Sequence, residues 1–98
     1  MSIIELARYR LQAGAAENAL AAAEEEIQRS VGPSHPGYAG RELLKSSDGS
    51  FVLVMHWENA EAAETWNNTL FASAAGRQLG PLVDPSSMSM ERLTSFKP

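Results

Sequence analysis

The run Phe51-Val-Leu-Val-Met-His-Trp57 leads within one residue into Asn59-Ala-Glu-Ala-Ala-Glu-Thr-Trp66-Asn-Asn-Thr-Leu-Phe71. Seven residues rich in Val, Phe and Trp suit an apolar strand, and the Ala- and Glu-rich segment that follows suits a helix. So abrupt a switch restricts the chain to architectures in which a buried strand hands over directly to a helix packed on its sheet. Asn59 is placed to cap that helix, Ala60 to Asn68, with Glu61 in the first turn where the helix dipole favours a carboxylate.

The rest of the chain extends this unit. Ile3 to Leu11 reads as a first strand, with Ile3, Glu5, Ala7, Tyr9 and Leu11 on one side and Ile4, Leu6, Arg8 and Arg10 on the other. Gly14 ends it. Ala15 to Val31 reads as a helix whose stripe Ala16, Leu20, Ala23, Ile27 and Val31 faces the sheet, placing Glu24, Glu25 and Glu26 on the solvent side. Gly32-Pro33 stops that helix, and Pro33 to Gly37 forms a loop that leaves His35 exposed. A second strand, Tyr38 to Lys45, is joined to the third, Phe51 to Trp57, by the turn-rich Ser46-Ser-Asp-Gly-Ser50, which makes a hairpin. Thr69 is expected to cap a short helical piece, Leu70 to Ala75. Leu79 to Ser87, with Gly80-Pro81 and Asp84-Pro85, reads as an irregular return to a last strand, Met88 to Phe96, whose Met88 and Met90 are expected to pack.

Strand, helix, strand, strand, helix, strand is the ferredoxin-like split βαβ order: an α+β domain over residues 1–98 with an antiparallel sheet carrying both helices on one face. The other sheet face, with Ile4 and Leu6, needs a cover, which predicts a homodimer joined through it. Arg8 and Arg10 could then meet Glu42 or Glu91 across the interface.

Eight basic against twelve acidic residues, net −4, with the basic residues scattered singly, argue against a nucleic-acid partner. No run approaches the ~20 apolar residues of a membrane span, and the N-terminus lacks a signal-peptide pattern, so no membrane partner and a cytoplasmic location are expected. There is no cysteine, no histidine pair at ligand spacing and no calcium-loop pattern, so no metal site is expected. Phosphate-binding Gly loops and a serine nucleophile elbow are missing as well.

With His35-Pro-Gly-Tyr38 leading into the second strand, His56-Trp57-Glu58 closing the third, and Glu61-Ala-Ala-Glu-Thr-Trp66-Asn-Asn-Thr-Leu-Phe71 after it, nearly the whole chain resembles the antibiotic-biosynthesis monooxygenase family. The resemblance implies a dimeric α+β barrel and, for activity, one of several chemistries that the family hosts. Haem-degrading members carry an Asn on the first strand, a Trp on the second helix and a His, the iron ligand, one helical stretch later. Here those positions are Ala7, Trp66 and Gly76, so the resemblance implies no haem and no other cofactor. Polyketide oxygenases of the family set an Asn one turn before the Trp, where this chain has Ala62, while Asn67 and Asn68 are expected to point elsewhere.

Trp66 is the candidate plate for an aromatic ligand, or else a core plug, and Thr69 and Leu70 share its helix face. His56, on a strand face with Val52 and Val54, enters the dimer interior or a pocket wall and is a candidate for proton transfer. Glu5 is the other candidate, because a carboxylate facing the helices is costly unless it is paired or lines a wet cavity. Tyr9, on the same face, would orient the ligand. Arg77 could hold an anionic oxygen, and Trp57 is read as core. The function expected from the resemblance is a cofactor-independent monooxygenase acting on a small aromatic, a quinol or polyketide-like ring. The alternatives are a ligand-binding barrel without turnover, or an isomerase of a small carbonyl compound.

Overall fold

The computed structural model, which describes residues 2–96, has the expected order. Strand β1 (Ile3–Tyr9) is followed by helix α1 (Glu17–Glu26), a hairpin of β2 (Tyr38–Lys45) and β3 (Phe51–Trp57), helices α2 (Ala60–Ala72) and α3 (Ala74–Leu79), and strand β4 (Ser89–Thr94). The four strands form one antiparallel sheet in the order β2-β3-β1-β4, the arrangement of the ferredoxin-like fold.

Strand alternation divides the sheet into two faces. Ile3, Glu5, Ala7 and Tyr9 of β1 and Phe51, Leu53, Met55 and Trp57 of β3 are buried beneath the helices. Ile4, Leu6, Val52 and Val54 point the other way and stay half-buried, with Arg8 and His56 exposed among them. Strand β2 breaks the alternation. Its register against β3 shifts between Tyr38 and Gly40, so that Tyr38 lies opposite Trp57 and Arg41 opposite Met55. The extra residue of this bulge lets two side chains three positions apart both face the helices. Gly40, at φ 147°, takes a backbone conformation that suits glycine.

Helix α1 begins at Glu17 rather than Ala15, because Ala16 is extended and has no side chain able to cap. Its last turn, Ile27–Val31, widens to a π-helix closed by the Gly32 N–H on the Ile27 carbonyl (2.7 Å), which keeps both Ile27 and Val31 inside. Asn59 caps α2 as expected, its side chain accepting the Ala62 N–H at 2.8 Å. The helix then runs past Asn68 to Ala72. Ser73, not Thr69, separates it from α3, accepting the Gly76 N–H at 3.0 Å. Glycine is required at position 76, since a Cβ there would overlap the Leu70 carbonyl oxygen. The return after α3 contains the short 3₁₀ turns Gly80–Leu82 and Pro85–Ser87, and Leu11 bridges to Val83 beyond the end of β1.

Several expectations are corrected here. Glu24 is buried rather than solvated, and His35 is buried rather than exposed. Met88 and Met90 are exposed, at 44% and 56%. Arg10 pairs within the chain, with Asp48 at 3.3 Å.

Candidate active-site cleft

Between the covered sheet face, α2 and the return to β4 lies a cleft of ≈ 590 Å³. Ala7, Leu53, Met55, Trp66, Leu70 and Leu79 make its walls largely apolar, and Phe71, Met88 and Met90 surround the mouth. This is the shape and lining of a site for a small, mostly apolar ligand. The face of α2 turned to the cleft carries Ala63, Trp66, Asn67 and Leu70. Asn67, expected to point away, therefore lies at the cleft. Positions 63, 66, 67 and 70 are one helical face, and that spacing was the signal for it.

The polar groups of the cleft come in two sets. In the first, the buried Glu5 carboxylate accepts the Trp57 indole N–H at 3.0 Å on one oxygen and Arg92 on the other, at 3.1 Å from Nη2 and 3.3 Å from Nε. Glu5 and Arg92 are directly opposite on paired strands, so register alone brings them together. Arg92, partly exposed, also reaches Glu64 at 3.7 Å. A charge in this position is tolerable because it is paired and hydrogen-bonded, and because it borders a cleft open to small molecules.

In the second set, the buried Arg41 grips Glu24 with two bonds, Nε at 2.6 Å and Nη2 at 3.0 Å. Its Nη1 donates to the Met55 sulfur at 3.6 Å, and its guanidinium lies 5.8 Å from the Trp66 ring centre. The Tyr9 ring stacks on Phe51 at 6.0 Å, and its hydroxyl is buried. Burial, reinforced by the Glu24 carboxylate and opposed by Arg41, pushes the Tyr9 phenol up to about 12.

Behind Trp66 stands a cluster of aromatic rings. His35 meets Trp57 and Trp66 edge to face at 5.7 and 5.4 Å, and Tyr38 stacks on Trp66 at 6.4 Å. Each His35 nitrogen has a partner: Nε2 is 2.8 Å from the Ala62 carbonyl and Nδ1 is 2.7 Å from the Thr69 hydroxyl. A carbonyl only accepts, so Nε2 carries a proton. The neighbouring loop is tied down too, because at Gly37 (φ 84°) a Cβ would lie 2.6 Å from the Ala62 Cβ. Trp66 is therefore both core and cleft wall: 3% exposed, with one side bound in this cluster.

Of the candidate residues, Glu5, Tyr9, Trp66 and Leu70 meet at the cleft. Thr69 faces His35 instead. His56 lies on the opposite side of the sheet, exposed, beside the half-buried Ile4 and Val54. Arg77 donates to the Ala72 carbonyl at the end of α2 (2.9 Å) and is exposed. Sequence reasoning missed Arg41, Arg92 and Asn67 as groups at the cleft. Among the described residues, no group of three or more His, Cys, Asp or Glu could hold a metal ion.

This arrangement, an apolar cleft on the helix-covered face of a split βαβ sheet, defines a class of small α+β domains. Within that class, residues 2–77 match the family described as antibiotic biosynthesis monooxygenase, and the chain belongs to that family. A curated relative, heme oxygenase (mycobilin-producing) of Mycobacterium tuberculosis, is 34% identical over 56 residues, 54% of this chain and 53% of that protein. The chain thus aligns to about half the length of the curated relatives it matches. Among solved structures, SnoaB, a cofactor-independent oxygenase from Streptomyces nogalater, has a TM-score of 0.73 at 14% identity, covering 99% of this chain and 95% of that one. MhuD, as a variant with two manganese protoporphyrin IX molecules bound per active site, has a TM-score of 0.74 at 22% identity, covering 98% and 96%. These likenesses establish the fold.

The cleft does not fit an imidazole-ligated haem. His35 is fully engaged behind Trp66, His56 is across the sheet, and position 76 has no room for a side chain. Ala7, which lines the cleft, carries no polar group. Among the described residues no helix is long and apolar enough to cross a membrane.

Proposed function

We propose that this protein is a cofactor-independent monooxygenase that takes a small electron-rich aromatic, a quinol or an anthrone, into the cleft beneath α2. The observation that carries the reading is the buried carboxylate of Glu5 in an otherwise apolar cleft walled by the Trp66 indole. Trp57 and Arg92 hold that carboxylate in a fixed orientation, and a carboxylate so placed is a candidate proton acceptor. For an anthrone, Glu5 takes a proton from the ring CH₂ and the carbanion passes one electron to dioxygen. The radical pair joins at that carbon as a peroxide, and loss of water leaves a ketone. One CH₂ and one O₂ give one C=O and one H₂O, and the proton held by Glu5 leaves with the water. Trp66 and Leu70 hold the ring, and the apolar walls exclude solvent.

The half-buried aliphatic side chains Ile4, Leu6, Val52 and Val54 support a homodimer joined through the open sheet face. His56 then belongs to that interface, not to the proton path. A cytosolic location accords with a chain that has no cysteine.

Dioxygen uptake by the purified protein, without added metal or flavin, over a panel of hydroquinones and anthrone tests the reading. Uptake is expected to fall about 10²-fold or more in Glu5→Gln and to stay unchanged in His56→Ala. No protein-dependent uptake across the panel would sink it. A ligand-binding role without turnover would then stand, favoured by the tight hold of Trp57 and Arg92 on Glu5; a ring that binds and is recovered intact would mark that case.

A further inference from the structure

The proton path above leaves Tyr9 without a task. Its ring needs no hydroxyl to stack on Phe51, and phenylalanine would fill the same space. Yet the oxygen is there, 3% exposure for the whole residue, and among the described residues it is the buried side-chain polar atom without a hydrogen-bond partner. A buried hydroxyl in that state is destabilising until something bonds it. Because Tyr9 borders the cleft, the group able to satisfy it is one that enters the cleft.

The surroundings decide what kind of group that is. At neutral pH the phenol keeps its proton, since burial and Glu24 push its ionisation up to about 12, so it has a proton to donate to an acceptor. The nearest cation is already committed: Arg41 spends two nitrogens on Glu24 and turns the third towards the Met55 sulfur. Arg41 and Glu24 cancel as a pair, so an anion placed beside Tyr9 would lose its hydration without gaining a net opposite charge from them. A carboxylate or phosphate is disfavoured by this environment. A neutral carbonyl oxygen, cheap to desolvate and in need of one donor, suits it.

We propose that Tyr9 is a specificity-determining residue, its O–H donating to a ketone or quinone carbonyl of a ring held against Trp66. This rests on the reading of the cleft as an aromatic-ring site. Glu5 and Tyr9 stand four residues apart on one strand face, with Cα atoms roughly 13 Å apart at the rise of a β-strand. The base and the donor therefore address opposite ends of a ring system, one the carbon that loses a proton and the other a carbonyl already present. An anthrone has both, and the quinone that oxygenation would make from it keeps the carbonyl.

Equilibrium dialysis of 1,4-naphthoquinone and of naphthalene against the wild type and Tyr9→Phe tests the proposal. The two probes share a bicyclic frame and differ in the carbonyls, and the absence of cysteine removes thiol addition to the quinone. Tyr9→Phe is expected to weaken naphthoquinone binding roughly 3- to 10-fold while naphthalene binds as well or better, with no fall in melting temperature. Equal responses of the two probes, no binding of either by the wild type, or a Tyr9→Phe chain that fails to fold would each overturn it. Dioxygen uptake is read separately on the same proteins. A carbonyl preference that depends on Tyr9 but comes without turnover keeps this inference and removes the oxygenase reading; turnover without such a preference does the opposite.

Discussion

The two faces of the sheet are made by the same strands, often by adjacent residues, yet differ in nearly every physical respect. Under the helices, charged groups are buried and each has a partner: Glu24 with Arg41, Glu5 with Arg92 and Trp57. Aromatic rings surround them, and His35 has both nitrogens bonded. On the open face Ile4, Leu6, Val52 and Val54 are half-covered aliphatics, and the histidine there, His56, is exposed. A covered face can hold polar groups in fixed geometry because low dielectric and tight packing penalise any other arrangement. An open face cannot, and is suited to closing against another surface. The proton path proposed for Glu5 rests on this difference: its carboxylate is held under the helices, whereas His56 is exposed on the open face.

The buried ion pair carries the largest expected effect. Glu24→Leu leaves Arg41 charged and alone under the helices and is expected to cost roughly 3–5 kcal/mol in a urea titration, whereas Glu24→Leu with Arg41→Met recovers most of the loss. The exposed open-face carboxylate offers the control, and Glu42→Leu should move the midpoint little. The histidines come next. His35→Leu strands the Thr69 hydroxyl and the Ala62 carbonyl and is expected to cost roughly 3 kcal/mol, against about 0.5 kcal/mol or less for His56→Leu measured on the monomer. Equal losses from the two would erase the distinction between the faces.

Alkaline pH probes the covered face without mutation. The folded protein holds the Tyr9 proton up to about 12, while the unfolded chain releases it near the ordinary phenol value of 10.0. The native state thus binds more protons in that window, and stability falls as pH rises through it, with full stability retained below pH 10. A difference of that size between the folded and unfolded phenol corresponds to a loss of roughly 2–3 kcal/mol at the upper end. Tyr9→Phe should flatten this limb, and Tyr38, also raised by burial, leaves a residue of the same sign. The smallest effect sharpens the open face: Leu6→Glu is expected to raise the dimer dissociation constant by about tenfold or more in sedimentation equilibrium, with the far-UV circular dichroism spectrum unchanged. A Leu6→Glu protein that sediments as the wild type does would leave that face without its proposed partner.

Much of the fold could be read from residue order because strand alternation, the Asn59 cap and the turn Ser46 to Ser50 are local properties. Glu24 was legible in principle: Leu20, Ala23, Glu24 and Ile27 form the i, i+3, i+4, i+7 stripe of the buried face, but in a run of three glutamates it reads as solvated. His35 gave no such signal, since a histidine between prolines and glycines has no periodicity, and its burial follows from where α2 crosses the loop. The bulge at Tyr38 to Gly40 was equally hidden, because one unpaired residue changes register without changing composition.

By itself the sequence determined the order of the elements, the two-faced sheet and the presence of Glu5, Tyr9 and Trp66 on its covered side, since each depends on the period of a strand or helix within a few residues. Only the tertiary structure decided who meets whom. Glu5 finds Trp57 and Arg92 across 52 and 87 residues of chain, Arg41 takes Glu24, and Tyr9 is left with its hydroxyl buried at the edge of a cleft. Those meetings depend on strand register and helix placement, which are settled by packing the whole chain at once, and the chemistry of the cleft depends on them.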